Sequence, residues 1–215
     1  MTAKPLLIFG LGELAEQAHY YFTQHGGRRV EAFTADAAYA TVSQFAGLPV
    51  LPFDEAQRRC APATHELFVA VGYSQRNQVR QRIVEQAQAL GYTLPSFVHE
   101  RAVVARNVPI GVNCLLRELA AVSPFARVGD GVVIGPQVAV SHHVHVGAHA
   151  WLAAGSVVCG GVHIGERVFI GANAVVRDHV RIGAACVIGA GAVILGDCAA
   201  DGVYAAAPTP RREPT

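Results

Sequence analysis

Ten histidines stand among the 215 residues, and six of them (His142, His143, His145, His149, His163 and His179) fall close together in the second half of the chain. A neutral imidazole titrates near pH 7, so such groups suit proton removal, and imidazole is also a common zinc ligand. A solvated polar face is the third reading. A second segment with chemical character lies near the amino terminus, where Gly10-Leu11-Gly12-Glu13-Leu14-Ala15 follows the apolar run Leu6-Leu7-Ile8-Phe9. Strand, GxGxxA turn and helix in that order bring a helix N-terminus close to phosphate or another anion, and the glycines let the backbone approach. Asp36 ends a further strand-like run beginning at Arg29, twenty-four positions after Gly12. The turn reads as an NAD site with Asp36 on a ribose, as a nucleotide or sugar-nucleotide anchor, or as a purely structural tight turn. Against NAD, fewer than a hundred residues cannot supply the two mononucleotide halves of a full dinucleotide fold.

The elements that must position these residues fall into two regions. Leu67 to Gly72 predicts a third buried strand, Asp54 is placed as the N-cap of a short helix, and Arg76 to Leu90 keeps helical spacing through Val79, Ile83, Ala87 and Leu90, with Gly91 as its stop. Residues 1–96 therefore read as a small Rossmann-like α/β domain. From Val98 to Ile194 a Val, Ile or Leu recurs at every sixth position, seventeen times without a slip, and a small or β-branched residue follows four places later, from Ala102 to Cys198. A period of six fits neither an amphipathic helix nor an alternating strand. It is the signature of a β-helix, whose units bury their apolar faces only by stacking on their neighbours. Residues 97–200 are assigned to this repeat, which is expected to end after Ile194, and 201–215 to a Pro-rich tail expected to be poorly ordered.

Composition narrows the class. A net charge of +1 with 15% charged residues does not favour nucleic acid or an anionic membrane as partner. Cys114, Cys186 and Cys198 fall on the inward small position of the repeat, and Cys60 and Cys159 have no CxxC spacing. With no apolar run of membrane-spanning length and no signal-like start, a soluble cytoplasmic protein is the expectation.

A short Rossmann-like unit with GxGxxA and Asp36, followed by a hexapeptide repeat without loops, resembles the sugar O/N-acyltransferases, the family of sialic acid O-acetyltransferases and of bacillosamine and perosamine N-acetyltransferases. The resemblance implies a left-handed parallel β-helix in which three hexapeptides make one triangular coil of eighteen residues. It implies a homotrimer, a nucleotide-linked sugar held by the amino-terminal unit at Gly10, Gly12, Glu13, Asp36, Gly72 and Tyr73, and acetyl-CoA in a groove between neighbouring β-helices. Cosubstrate contacts would fall at Gly160, Gly161, Ala172, Ala190 and Trp151. His142 matches the family's general base, with His143 beside it, and Gly160 N–H matches its oxyanion donor. Eighteen residues separate His142 from Gly160, so the two would stack one coil apart, about 4.8 Å along the axis. Such a site needs little else, because the thioester is already activated and the protein must take a proton, align two reactants and stabilise an oxyanion.

The chain departs from the family pattern in several places. His143 stands where many members carry an acid, Trp151 where they carry a second histidine, Gly135 where they carry an Asn, and Ala207-Pro208 replaces a closing Asn-Pro. Two other classes remain open: a non-catalytic trimeric scaffold, and a zinc hydratase of the carbonic anhydrase type, which shares the β-helix. The outward column His145, His163 and Arg181 reads as a solvated face or as a basic strip for phosphate or pantetheine. The stacked Trp151 and Phe169 read as a trimer interface in preference to an acyl-pocket wall. Arg80 and Asn77 resemble polar residues near the nucleotide.

Overall fold

The computed structural model describes residues 3–207. The first unit contains β1 (Leu6–Phe9), α1 (Glu13–Tyr20), β2 (Val30–Ala35), β3 (Gln44–Phe45), β4 (Leu48–Pro52), α2 (Phe53–Arg59), β5 (Glu66–Val69) and α3 (Gln78–Ala89). Its five strands order β3-β4-β2-β1-β5, with β4, β2, β1 and β5 parallel and β3 antiparallel to β4. The apolar runs LLIF and LFV are buried on both sides, against α1 on one face and α2 with α3 on the other. One π turn, Tyr21–His25, prolongs α1 and swings Tyr21 toward the second unit. Asp54 lies inside α2, whose N-cap is Pro52, so it is a first-turn acid and not the cap. α3 starts at Gln78 and not Arg76 because Gln75, Arg76 and Asn77 all have left-handed backbone.

The second unit is a three-sided column of two-residue parallel strands. The first face runs from Phe97–Val98 through Leu115–Leu116, Val133–Ile134, Trp151–Leu152 and Phe169–Ile170 to Val187–Ile188. The second runs from Val103–Val104 to Val193–Ile194, and the third from Arg127–Val128 to Arg181–Ile182. Partners are eighteen residues apart throughout, as in Val133 with Trp151, so three hexapeptides make one coil. The second residue of each pair points inward, and Leu116, Ile134, Leu152, Ile170 and Ile188 form a dry core with Cys114, Ala120, Ala174 and Cys186.

A second period of six, in backbone rather than side chains, makes the corners. Position after position, at Asn113, Leu119, Phe125, Gly131, Gln137, His143, His149, Gly155, Gly161, Arg167, Asn173, His179, Ala185 and Gly191, φ is positive. Each such non-glycine residue costs on the order of 1 kcal/mol, which the stacked coil offsets. The glycine after the inward aliphatic has a different reason: a Cβ on Gly165 would come within 2.6 Å of Ala184 N in the next coil.

The repeat does not end at Ile194. After Asp197 it tightens by two residues, so Ile182 bridges Cys198 and Val187 pairs with Val203, sixteen positions on, which adds a strand at Val203–Tyr204. The expected Pro-rich tail lies mainly outside the described residues, which stop at Ala207.

The first unit covers the first face. Phe97, Leu115 and Val133 pack with Ile8, Phe22 and Phe68, and Tyr21 donates its hydroxyl proton to Glu118 across 2.6 Å. Asn113 works as a strand surrogate: its carboxamide accepts from Val69 N–H at 2.7 Å and donates to Val69 C=O at 3.1 Å, closing the edge of β5. Replacing Asn113 by Leu leaves both buried groups unpaired and is expected to lower stability by about 2–4 kcal/mol in denaturant unfolding.

Candidate active site

The first candidate region lies where the carboxyl ends of β1 and β5 meet the column. Neighbouring strands of a parallel sheet whose connections leave in opposite directions open a crevice at that point. Here it is a cavity of about 460 Å³ that brings together Gly10, Gly12, Glu13, Gly72, Tyr73 and Trp151. Packing dictates Gly10, since φ is +133° and a Cβ would run into the Ala70 carbonyl. Gly12 is different: a Cβ there meets nothing within 4 Å, so the site is open rather than filled by protein. No side chain caps α1, and among the described residues the N–H groups of Glu13 and Leu14 have no partner, so they face the cavity as anion donors. Arg117 adds a cation to the same wall, and Gln17 Oε1 is buried nearby without a partner.

Asp36 is not on that wall. It ends β2 and holds Arg82 at 3.0 Å, so the structure separates it from the other five residues assigned to a nucleotide. Arg80 and Asn77 are also elsewhere. Both are buried: Asn77 donates to Arg167 C=O, and Arg80 donates to the carbonyls of Gly131 and His149 at 3.2 and 2.7 Å. Burial without a carboxylate pushes Arg80 down to about 10, and its guanidinium lies 5.3 Å from the Trp151 ring centroid. These residues fasten the two units together, a role their helix-opening position did not reveal. Trp151 and Phe169 find their partner inside the chain, where Tyr73 packs at 5.3 and 4.6 Å from their ring centroids. That contact covers part of the pair with the chain's own amino-terminal unit.

The second region is the corner between the second and third faces, the edge of the column opposite the covered first face. His142 and His143 are exposed here, with Nδ1 atoms 3.2 Å apart. The His142 ring lies directly over Gly160: a Cβ at 160 would stand 2.5 Å from Cε1 and 2.8 Å from Nε2. Gly161 N–H donates to His142 C=O at 2.9 Å, which registers the two turns, while Gly160 N–H has no acceptor among the described residues. Phe125 stacks on His143 with centroids 4.9 Å apart. Gly160 and Gly161 share this corner with the histidines, whereas Ala172 and Ala190 sit on the corner after the first face. The structure does not join those two sets within one chain.

The other histidines divide by environment. His145 and His163 stack at 4.7 Å on the third face, between Arg127 and Arg181. Burial first, then His163 and Arg127, hold His145 below the usual histidine range. His149 is buried beneath Arg80, and burial again lowers it. Among the described residues no three His, Cys, Asp or Glu side chains stand close enough to hold a metal.

Gly160 therefore tolerates no side chain while His142 keeps its place. Gly160→Ala is expected to leave the column folded, as read by circular dichroism, and to push the imidazole out of register, seen in the crystal structure as a rotated His142 ring.

The profile of the family described as "Bacterial transferase hexapeptide (six repeats)" matches residues 143–178 and 161–196. No curated protein sequence matches the chain. Among solved structures, PerB from Caulobacter crescentus in complex with CoA and GDP-perosamine is 29% identical, covering 95% of each chain, with a TM-score of 0.86. The acetyltransferase domain of PglB from Neisseria gonorrhoeae is 28% identical over 94% of this chain and 97% of that one, with a TM-score of 0.84. WeeI from Acinetobacter baumannii, 18% identical with a TM-score of 0.65, shares the fold. No helix among the described residues is long and apolar enough to cross a membrane. With an α/β unit leading into a left-handed β-helix, the chain carries the hexapeptide repeat and resembles these sugar acetyltransferases in fold over nearly its whole length.

Proposed function

We propose that the protein transfers an acetyl group from acetyl-CoA to the amine of a nucleotide-linked sugar. The observation that carries this reading is the imidazole of His142 packed against Gly160, whose N–H has no acceptor among the described residues, in a chain that resembles a GDP-perosamine-binding, CoA-binding protein over 95% of its length. His142 takes the proton of the attacking amine, and the tetrahedral oxyanion accepts a hydrogen bond from Gly160 N–H. The intermediate then collapses, expelling the CoA thiolate. The nucleotide's phosphates meet the free N–H groups at the start of α1, with Arg117 as counter-charge, and the aromatic wall of Tyr73 and Trp151 borders the sugar. Asp36, already paired with Arg82, is left out of this assignment.

The geometry also supports the homotrimer. Within one chain the anion cavity opens on the first face and His142 stands on the opposite edge of the column, so a sugar held by one copy would be acetylated against another. The second face offers the surface for that contact. Its outward residues are Val103, Ala121, Ala139, Val157, Val175 and Val193, an unbroken aliphatic strip next to the His142 corner. A cyclic arrangement closes such strips.

The competing reading, a non-catalytic scaffold, draws on the departures from the family pattern around His142, at Gly135, His143 and Trp151. Calorimetry with acetyl-CoA separates the two, since a scaffold shows no binding at millimolar concentration.

His142→Asn is expected to lower turnover of GDP- or UDP-amino sugars by about 10²–10⁴-fold, read as free thiol release, with acetyl-CoA binding retained. Asp at both Val157 and Val175 is expected to yield monomers in sedimentation velocity and to abolish transfer, since charges on an apolar interface are not tolerated.

A further inference from the structure

This chain places His143 beside the proposed base, and the geometry around it is specific. The Nδ1 atoms of His142 and His143 face each other at 3.2 Å, a separation that requires a proton on one nitrogen and a lone pair on the other. The His143 ring is fixed from outside by Phe125, stacked at 4.9 Å and 26°. Its backbone is fixed too, but not by anything peculiar to a site: φ of +58° matches the positive φ that the corners from Asn113 to Gly191 adopt. The remaining edge of His142, Cε1 and Nε2, lies over Gly160.

We infer that His143 is a positioning residue that acts as a neutral hydrogen-bond acceptor, holding His142 in the Nδ1–H tautomer so that the Nε2 lone pair is free over Gly160. This rests on the acetyltransferase reading above. The reverse arrangement, with His143 donating, would put the proton on His142 Nε2 and leave it nothing to accept with. The consequence is chemical. A carboxylate next to a histidine orients it and also stabilises its protonated form; an imidazole orients it without doing so, because a second proton turns the acceptor into a like charge.

The charged and titratable groups around the pair reinforce this. Arg127 and His145, from the third face, border the same surface depression as His143, and His179 lies over Gly161 one turn further along. Asp178 is exposed and follows Gly160 by one coil, so it is the only acid in that column of the corner after the pair. The neighbours are mainly cationic or neutral, so no carboxylate beside the pair competes with His143 for the Nδ1–H of His142.

The test joins a spectrum to kinetics. In ¹⁵N-histidine NMR of the full chain near pH 8, with His142→Asn and His143→Asn for assignment, His142 is expected to show a protonated Nδ1 and a bare Nε2, and His143 the opposite. His143→Phe removes the acceptor while suiting the corner, since Phe125 occupies the equivalent place one coil earlier with φ of +66°. It is expected to release the His142 tautomer and to lower kcat by about 10–100-fold with KM little changed. His143→Asn keeps a neutral acceptor and is expected to retain most of kcat. His143→Glu is expected to move the acid limb of the kcat/KM profile to higher pH than in the unaltered protein. An Nε2–H tautomer at His142, an unchanged kcat in His143→Phe, or an unmoved acid limb in His143→Glu overturns the inference. If the unaltered protein transfers no acetyl group to any nucleotide amino sugar, the acetyltransferase reading falls, and the tautomer spectrum still decides whether the pair is wired as stated.

Discussion

The backbone hydrogen bond from one coil to the next governs this molecule. Each coil donates to and accepts from its neighbours, as in Cys159 N–H to Val176 C=O and Ser141 N–H to Val158 C=O, and this pairs each strand residue with the one eighteen positions on. Once that register is set, every side chain has an address: a face, a direction in or out, and a height along the column. Inward Val, Ile and Leu cannot drift to the surface without breaking a whole ladder, because a slip of one residue exchanges core for solvent. His142 reaches Gly160 for the same reason that Ile134 reaches Leu152. The site is a by-product of the stack.

That constraint also explains what could be read from the residues alone. A strict period of six survives in the sequence because every sixth residue meets the same apolar interior, so the repeat was legible from the residues, while the three-part coil and the alignment of 142 with 160 came from the family resemblance. The turn at Gly10 and Gly12 was legible because strand, glycine turn and helix follow one another locally. Asp36 was not. Its position at the end of β2 is typical of a ribose acid, but Arg82 comes from a helix forty-six residues away, and nothing in the spacing marks that pair. Arg80 misled for a related reason: at the start of a helix it looks solvent-facing, yet the column presses carbonyls of Gly131 and His149 against it. The continuation past Ile194 was hidden by two missing residues, which break the period in sequence while the ladder continues in space.

The three faces of the column have different outward chemistry, and that division organises the molecule above the level of the fold. The first is occupied by the chain's own amino-terminal unit through Phe97, Leu115 and Val133. The second is uniformly aliphatic, and the third carries Arg127, His145, His163 and Arg181. Since the inward half of every strand is committed to the core, the outward half is where the sequence is free to specify neighbours. The catalytic candidates stand on the edge between the aliphatic and the basic face, where a dry contact and a wet, cationic surface meet.

A column of parallel strands has no natural terminus, because the last rung shows unpaired N–H and C=O groups to any further strand of matching pitch. The shortened final turn changes what is shown there. Tyr204 folds its ring against Gly202, receives the Ala199 N–H on its hydroxyl and packs against the end of the inward core. With the coil shortened from eighteen residues to sixteen, the last described rung departs from the register that the rest of the column repeats, so it offers a following strand a different template from the one each earlier rung offers.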